Sequence, residues 1–257
     1  MTKQISETDP CVTIDSDSLY LAPVESRVIY PSYKSFDEFI DVERLRSLDG
    51  YGRQRIKRHI TERDDPKFFT GPYTMVEGYA GRPGSRMIYL TESSLPDSYF
   101  DLNRTDVWRR SGAAIEFALL MEFIDTLPFS GTGRIMIMYD DHPREVPAHR
   151  DHTETEILHD FIWLRTNLTK PFYMLNCQTG EKKQVEGYSA WFDTVNQFHG
   201  SSAVDELAFS FRVDGEFTEE FKAKIPRPRI NAASTPSYWA SFNEQGNYAE
   251  KGSDNLY

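Results

Sequence analysis

No stretch of this 257-residue chain approaches the roughly eighteen consecutive apolar residues that a membrane-spanning helix needs, so a helical span is excluded. Its opening, Met1-Thr-Lys-Gln-Ile-Ser-Glu-Thr-Asp-Pro10, lacks an apolar core, and no secretory signal is expected there. Cysteine is nearly missing. Cys11 and Cys177 allow one disulfide at most and make no zinc site of their own, so a reducing cytoplasm is the expected location. The Asn-x-Thr triplets at Asn103 and Asn167 then carry no glycan. Positive charge is also short, with 29 Lys and Arg against 40 Asp and Glu. A net charge of −11 argues against nucleic acid or an anionic membrane surface as partner. Glycine-rich phosphate loops are absent, and Gly131-Thr-Gly133 is too short to be more than a turn.

What remains is a soluble globular composition, 39% hydrophobic with a mean hydropathy of −0.57. The length suits one large domain with a sizeable core. Residues 1–257 are expected to form a single domain: a tail (1–27), a mixed helix and strand support (28–128), a β-rich core (129–221) and an irregular tail (222–257). An edge strand is expected near Leu19–Leu21. Ser35-Phe-Asp-Glu38 has the form of a capping box, with Phe36, Phe39, Ile40, Leu45 and Leu48 on one side of a helix that Gly50 can end. A second helix is expected across Arg53–Glu62, the basic run Arg53-Gln-Arg-Ile-Lys-Arg58 forming its solvated face. Strands are expected near Phe68–Gly78 and Met87–Thr91, divided by the turn Gly81-Arg-Pro-Gly84. Asp106–Thr126 is the longest helical signal, with Ile115, Ala118, Leu119 and Phe123 as its apolar stripe.

From Arg134 the pattern turns to short strands punctuated by turn residues such as Thr179-Gly180 and Glu186-Gly187. That rhythm predicts a mainly β fold with flanking helices, its core a double-stranded β-helix (a jelly roll, cupin-like). Helices first and strands after reads as helices packed on one outer face of that core.

The chemistry concentrates at His149-Arg150-Asp151. A histidine and a carboxylate two apart on a strand project to one face, and both can bind one ion. His199, fifty residues on, returns a second imidazole from a distant strand. Two imidazoles and one carboxylate are the ligand set of non-haem Fe(II) oxygenases, which leaves open positions on the metal. Thirteen residues after His199 stands Arg212, inside Leu207-Ala-Phe-Ser-Phe-Arg212-Val213. Alternation gives Ala208, Ser210, Arg212 and Asp214 one face and Phe209, Phe211 and Val213 the other. The polar face suits a barrel interior built around a ligand, and it equally suits a solvent face with Arg212 paired to Asp214 or Glu216. A fixed arginine is what a bidentate carboxylate contact needs.

The ordered segments Gly133-Arg-Ile-Met-Ile-Met138, Pro147-Ala-His-Arg-Asp-His152, Phe161-Ile-Trp-Leu-Arg-Thr-Asn167, Gly187-Tyr-Ser-Ala-Trp-Phe-Asp193, His199 and Phe211-Arg-Val-Asp-Gly215 resemble the Fe(II)/2-oxoglutarate dioxygenases. The likeness is closest to the aspartyl/asparaginyl β-hydroxylase and bacterial proline hydroxylase branch. It spans about residues 130–216. The resemblance implies Fe(II) on His149, Asp151 and His199, with 2-oxoglutarate held by Arg212 and helped by Arg165. O2 is then the co-substrate, and an unactivated C–H of an amino acid or amino-acid-derived small molecule is hydroxylated with release of succinate and CO2. Two places depart from the branch. Its co-substrate arginine falls earlier, where this chain has Ala208 or Phe209, and its Arg-x-His pair is replaced by Trp163 and Arg165. Asp151 argues against halogenation, which the resemblance associates with a small residue there.

Candidate substrate contacts are Arg134, Arg150 and Trp239. Arg82 and Arg86 are further arginines able to clamp a carboxylate, and Arg134 and Arg150 read more readily as structural ion pairs. Trp239 with Tyr238 reads as an anchor for the tail or as a lid. His152 is at most a neighbour of the metal site, and His159 and Cys177 read as packing residues. His149-Arg-Asp151 also spells the start of a protein-kinase catalytic loop, but Glu156 stands where that loop needs asparagine. The rivals that remain are a protein-substrate hydroxylase of the same chemistry, and a non-oxidative metal-binding cupin acting as isomerase, lyase or ligand-binding barrel. The oligomeric state is open.

Overall fold

Asp41, not Ser35, starts the first helix. Its carboxylate accepts from the Arg44 amide at 2.9 Å and caps α1 (Val42–Ser47). Ser35 serves only a single 3-10 turn over Asp37–Phe39, its hydroxyl accepting from the Asp37 amide, and extended Ile40 separates turn from helix. The computed structural model describes residues 33–61, 87–94, 105–143, 145–149, 160–175, 180–192, 198–224, 241–242 and 248–249, by backbone alone at His149 and in the last two segments. The expected tail and edge strand, the Phe68–Gly78 strand, the Gly81–Gly84 turn, Arg82, Arg86, Arg150, Asp151 and Trp239 lie outside these residues.

Gly50 does not end a helix. It lies in the first turn of α2 (Asp49–Thr61), and its φ is not positive, so it provides no left-handed stop. Gly52, Ile56 and His59 form the buried side of α2. The expected solvated basic face is instead half tied down. Arg53 pairs with Asp49 and Glu206, while Arg55 and Arg58 both reach Glu116.

Next come β1 (Met87–Tyr89), β2 (Thr91–Ser93) and β3 (Trp108–Arg110). The last of these lies where the sequence predicts the start of a long helix. Cross-strand pairing decides for the strand, because Glu92 stands opposite Arg109 and their side chains bond at 2.9 Å. Two short helices follow, α3 (Gly112–Glu116) and α4 (Ala118–Ile124), broken at Phe117. Two apolar stripes compete at helical spacing here. The richer one, with Ala113, Ala114, Phe117, Leu120, Met121, Phe123 and Ile124, is buried. Of the expected stripe Phe123 is inside, and Ile115 is 78% exposed.

The core strands are β4 (Phe129–Asp140), β5 (Val146–His149), β6 (Asp160–Arg165), β7 (Phe172–Leu175), β8 (Lys182–Gln184), β9 (Ser189–Ala190), β10 (His199–Ser201) and β11 (Ala208–Phe217). Then α5 (Glu219–Lys224) packs Phe221 onto Phe217. The stretch expected to be irregular holds a short antiparallel pair, β12 (Ser241–Phe242) with β13 (Tyr248–Ala249).

All pairings in the two main sheets are antiparallel. The five-stranded sheet has the order β1-β4-β11-β6-β9, and the four-stranded sheet β5-β10-β7-β8. From β4 onward the chain passes back and forth between them, with β7 and β8 as the one consecutive pair in a single sheet. The fold is therefore mainly antiparallel β with flanking helices. Alternation along β11 sorts its two faces. Phe211 meets Phe123 of α4, and Phe209 lies against Gly52 of α2, so the odd positions face the helices. The even positions share a face with Trp163, the cross-strand partner of Arg212. Trp163 stacks on Phe172 of the other sheet at 4.3 Å, so this face looks into the space between the sheets.

Candidate metal and anion site

His199 and His149 are cross-strand partners in the β10–β5 pair. The pair is irregular, since Ser201 next aligns with Val146, three residues along β5 for two along β10. Pro147 sits in that step, and β5 is an edge strand, where a residue without an N–H is tolerated. Gly200 is required by closeness. A Cβ there would lie 2.6 Å from the Val146 carbonyl and 2.7 Å from the Tyr173 hydroxyl.

The His199 side chain is buried. Its ring lies 4.8 Å from Phe192 and 6.0 Å from Phe172, and Phe172 carries it against the facing sheet. Phe192 in turn meets Phe161 edge-on at 5.5 Å. Phe161 is covered on its face by the guanidinium of Arg212, 4.0 Å from the ring centroid. A continuous run of aromatic contacts therefore joins the second histidine to the arginine. Of the expected metal ligands, His149 and His199 are brought opposite each other, and Asp151 lies outside the described residues. No group of three His, Cys, Asp or Glu placed to hold one metal ion is found among the described residues.

Arg212, Arg134 and Asp214 form one buried cluster. Arg212 Nε donates to Asp214 Oδ1 at 2.8 Å, and Arg134 Nε to Asp214 Oδ2 at 2.9 Å. Asp214 has no exposed surface. A buried carboxylate is tolerated only when paired and hydrogen-bonded, and here each oxygen has its own cation. The β4–β11 register slips between Val213 and Gly215, which face Ile135 and Thr132. Arg134 and Asp214 lie at that step, next along from the Val213–Ile135 pair and opposite each other in the register that leads up to it. Gly215 lies too close to the Gly131 carbonyl for any Cβ. Arg134, a candidate substrate contact in the sequence, is thus an ion-pair partner of Asp214.

Arg165, expected to help hold the co-substrate, is bonded to main chain. Its Nε donates to the Gly187 carbonyl at 2.9 Å, Nη1 to Lys170 at 3.2 Å, and Nη2 to Val185. All three nitrogens are committed to main chain, and burial lowers its pKa from the ordinary arginine value. The side chain ties the segments after β6 and β8 to the sheet. Phe161 and Phe192 are the neighbours that the sequence does not place at the site, whereas Asp214 is a partner the sequence offers for Arg212 on the same face.

An open cleft of about 520 Å³ lies between α1, the start of α2 and the chain after β6, lined by Arg46, Asp49, Thr166, Asn167 and Tyr188 among others. It contains none of the candidate residues. Among the described residues no helix is long and apolar enough to cross a membrane.

No family model and no curated protein matches the chain. Among solved structures it is similar to a Pseudomonas putida prolyl-4-hydroxylase, with a TM-score of 0.37 and 10% identity over 72% of this chain and 91% of that one. It is also similar to an oxidoreductase of the 2OG-Fe(II) oxygenase family from Burkholderia pseudomallei, with a TM-score of 0.32 and 9% identity over 50% of this chain and 65% of that one.

Proposed function

We propose that the chain is an Fe(II)- and 2-oxoglutarate-dependent oxygenase that hydroxylates an amino acid or amino-acid-derived small molecule. The observation that carries the reading is the pairing of His149 with His199 on one sheet while Arg212 stands buried on the other. The strand orders β4-β11-β6-β9 and β5-β10-β7-β8, entered alternately, support a double-stranded β-helix core.

The residues present fit the metal and the 2-oxo acid. Opposed residues of an antiparallel pair lie close enough to reach one ion, and His199 is inside the fold rather than on its surface. His149, Asp151 and His199 would hold Fe(II), and Arg212 would hold the distal carboxylate of 2-oxoglutarate. When bound, the iron, 2-oxo acid and O2 supply the oxidising chemistry, with succinate, CO2 and a hydroxylated product as the outcome. The chain contributes orientation and exclusion of water. Phe161, Phe172, Phe192 and Trp163 are each at most 9% exposed and line the route between histidine and arginine with rings rather than solvent. In that dry setting the Arg212 charge is weakly screened and discriminates strongly for a carboxylate. A non-oxidative cupin needs no such buried cation.

The test is succinate release by the full chain supplied with Fe(II), 2-oxoglutarate and O2, screened against a panel of amino acids. Succinate stimulated by one of them is expected. Absence of 2-oxoglutarate turnover with the metal demonstrably bound would overturn the reading.

A further inference from the structure

We infer that Asp214 is a positioning residue for the anion subsite, and that Arg134 is there to keep Asp214 from neutralising Arg212. This rests on the oxygenase reading above and assigns roles to two residues it leaves unused.

The geometry carries the inference. Arg212 is held on two sides at once: its edge by Asp214 Oδ1 at 2.8 Å through Nε, its face by Phe161 at 4.0 Å. Those two contacts fix the plane of the guanidinium, and a planar donor fork binds a carboxylate bidentately only in the right plane. The support is short and stiff. Asp214 lies two residues along the same strand, on the same face, and is wholly buried.

An exclusive Arg212–Asp214 pair would hold its position but cancel its charge. Asp214 is not exclusive, because its other oxygen takes Arg134 at 2.9 Å. Two guanidinium groups around one carboxylate sum to one positive charge. Arg134 thus lets Asp214 orient Arg212 without extinguishing its attraction for an anion. Its position comes from the β4–β11 register, which runs regularly to Val213–Ile135 and brings Arg134 opposite Asp214 at the next step.

Positioning and plain charge make opposite forecasts for Asp214→Asn. Removing a negative charge should tighten anion binding if only charge matters, and weaken it if Asp214 orients the arginine. Calorimetric titration of the full chain with 2-oxoglutarate in the presence of Mn(II), which loads the site without turnover, reads the sign. We expect Asp214→Asn to bind about tenfold more weakly, the equivalent of about 1.4 kcal/mol. Binding of pyruvate, a 2-oxo acid without the second carboxylate, should be unchanged, and Asp214→Glu should recover part of the loss. Unchanged or tighter 2-oxoglutarate binding overturns the inference.

Should Asp214→Asn fail to fold, Arg134→Met keeps the question open to measurement, because it leaves Asp214 paired with Arg212. Selective weakening for 2-oxoglutarate supports the assignment, and unchanged or tighter binding overturns it. Titration of the wild-type chain with glutarate alone separates the two readings. Glutarate binding without any 2-oxoglutarate response to metal keeps the subsite and overturns the oxygenase. Failure to bind either acid overturns both.

Discussion

His149 and His199 face each other across the antiparallel β5–β10 pair, brought together from fifty residues apart in the chain. Neither residue alone marks a site. Their opposition, in a sheet whose inner side packs through Phe172 onto Trp163, is what turns two histidines into a candidate metal centre.

His149→Ala, Asp151→Ala and His199→Ala should each abolish iron binding and turnover while the chain still folds. Metal content after dialysis and circular dichroism check the two halves of that expectation. Near wild-type activity in any one of the three would reassign the ligand set. Asp151→Gly should likewise lose hydroxylation yet keep part of the 2-oxoglutarate binding.

Gly200→Ala should weaken metal binding without touching a ligand. The new Cβ would meet the backbone carbonyl of Val146 on the strand that bears His149, and a carbonyl cannot rotate away as a side-chain tip can. The two histidine strands must part by several tenths of an ångström. A stability loss of about 1–3 kcal/mol is expected from such overpacking, readable by denaturant titration beside the metal affinity.

Arg212→Ala and Arg165→Ala should separate cleanly. Losing Arg212 should raise KM for 2-oxoglutarate about thirtyfold or more, since a buried carboxylate deprived of its arginine loses about 2–5 kcal/mol. Losing Arg165 strips donors from three carbonyls and should lower stability by about 2–4 kcal/mol. Its KM should stay close to wild type. A larger KM effect from Arg165 than from Arg212 would reverse the two roles.

The alternation of β11 was legible because Phe209, Phe211 and Val213 against Ser210, Arg212 and Asp214 is a strong period-two pattern, and the structure gives those faces to helices and to the inter-sheet space. Other features were not legible, for reasons that are physical. Arg134 and Asp214 are eighty residues apart and meet only through the pairing register of β4 with β11, which residue identity does not encode. Arg165 is held by carbonyls that every residue carries, so nothing in the sequence marks its partners. In α4 two apolar stripes shared the same spacing, and tertiary packing chose the bulkier one. At Asp106–Arg110 a helical pattern gave way to a cross-strand ion pair between Glu92 and Arg109.

Acid should destabilise the fold partly through His59. The residue is 3% exposed on the buried side of α2, and burial pushes its pKa from the ordinary 6.5 down to about 4. The folded chain then binds this proton less readily than the unfolded one. Stability from this source is complete above about pH 6.5 and is lost as pH falls from there to about 4, amounting to about 3 kcal/mol. Urea titrations at pH 7, 5.5 and 4 should show the decline, and His59→Phe should flatten that part of it. An unchanged slope in the variant would assign the acid sensitivity to other groups.

In the reading proposed, one site holds iron and the 2-oxo acid together. Anaerobic addition of Fe(II) and then 2-oxoglutarate to the full chain tests it most directly, by visible absorption. A weak charge-transfer band is expected that needs both components, vanishes in His199→Ala, and requires more 2-oxoglutarate to develop in Arg212→Ala. Saturating concentrations of both that leave the visible spectrum of the wild-type chain featureless would contradict it.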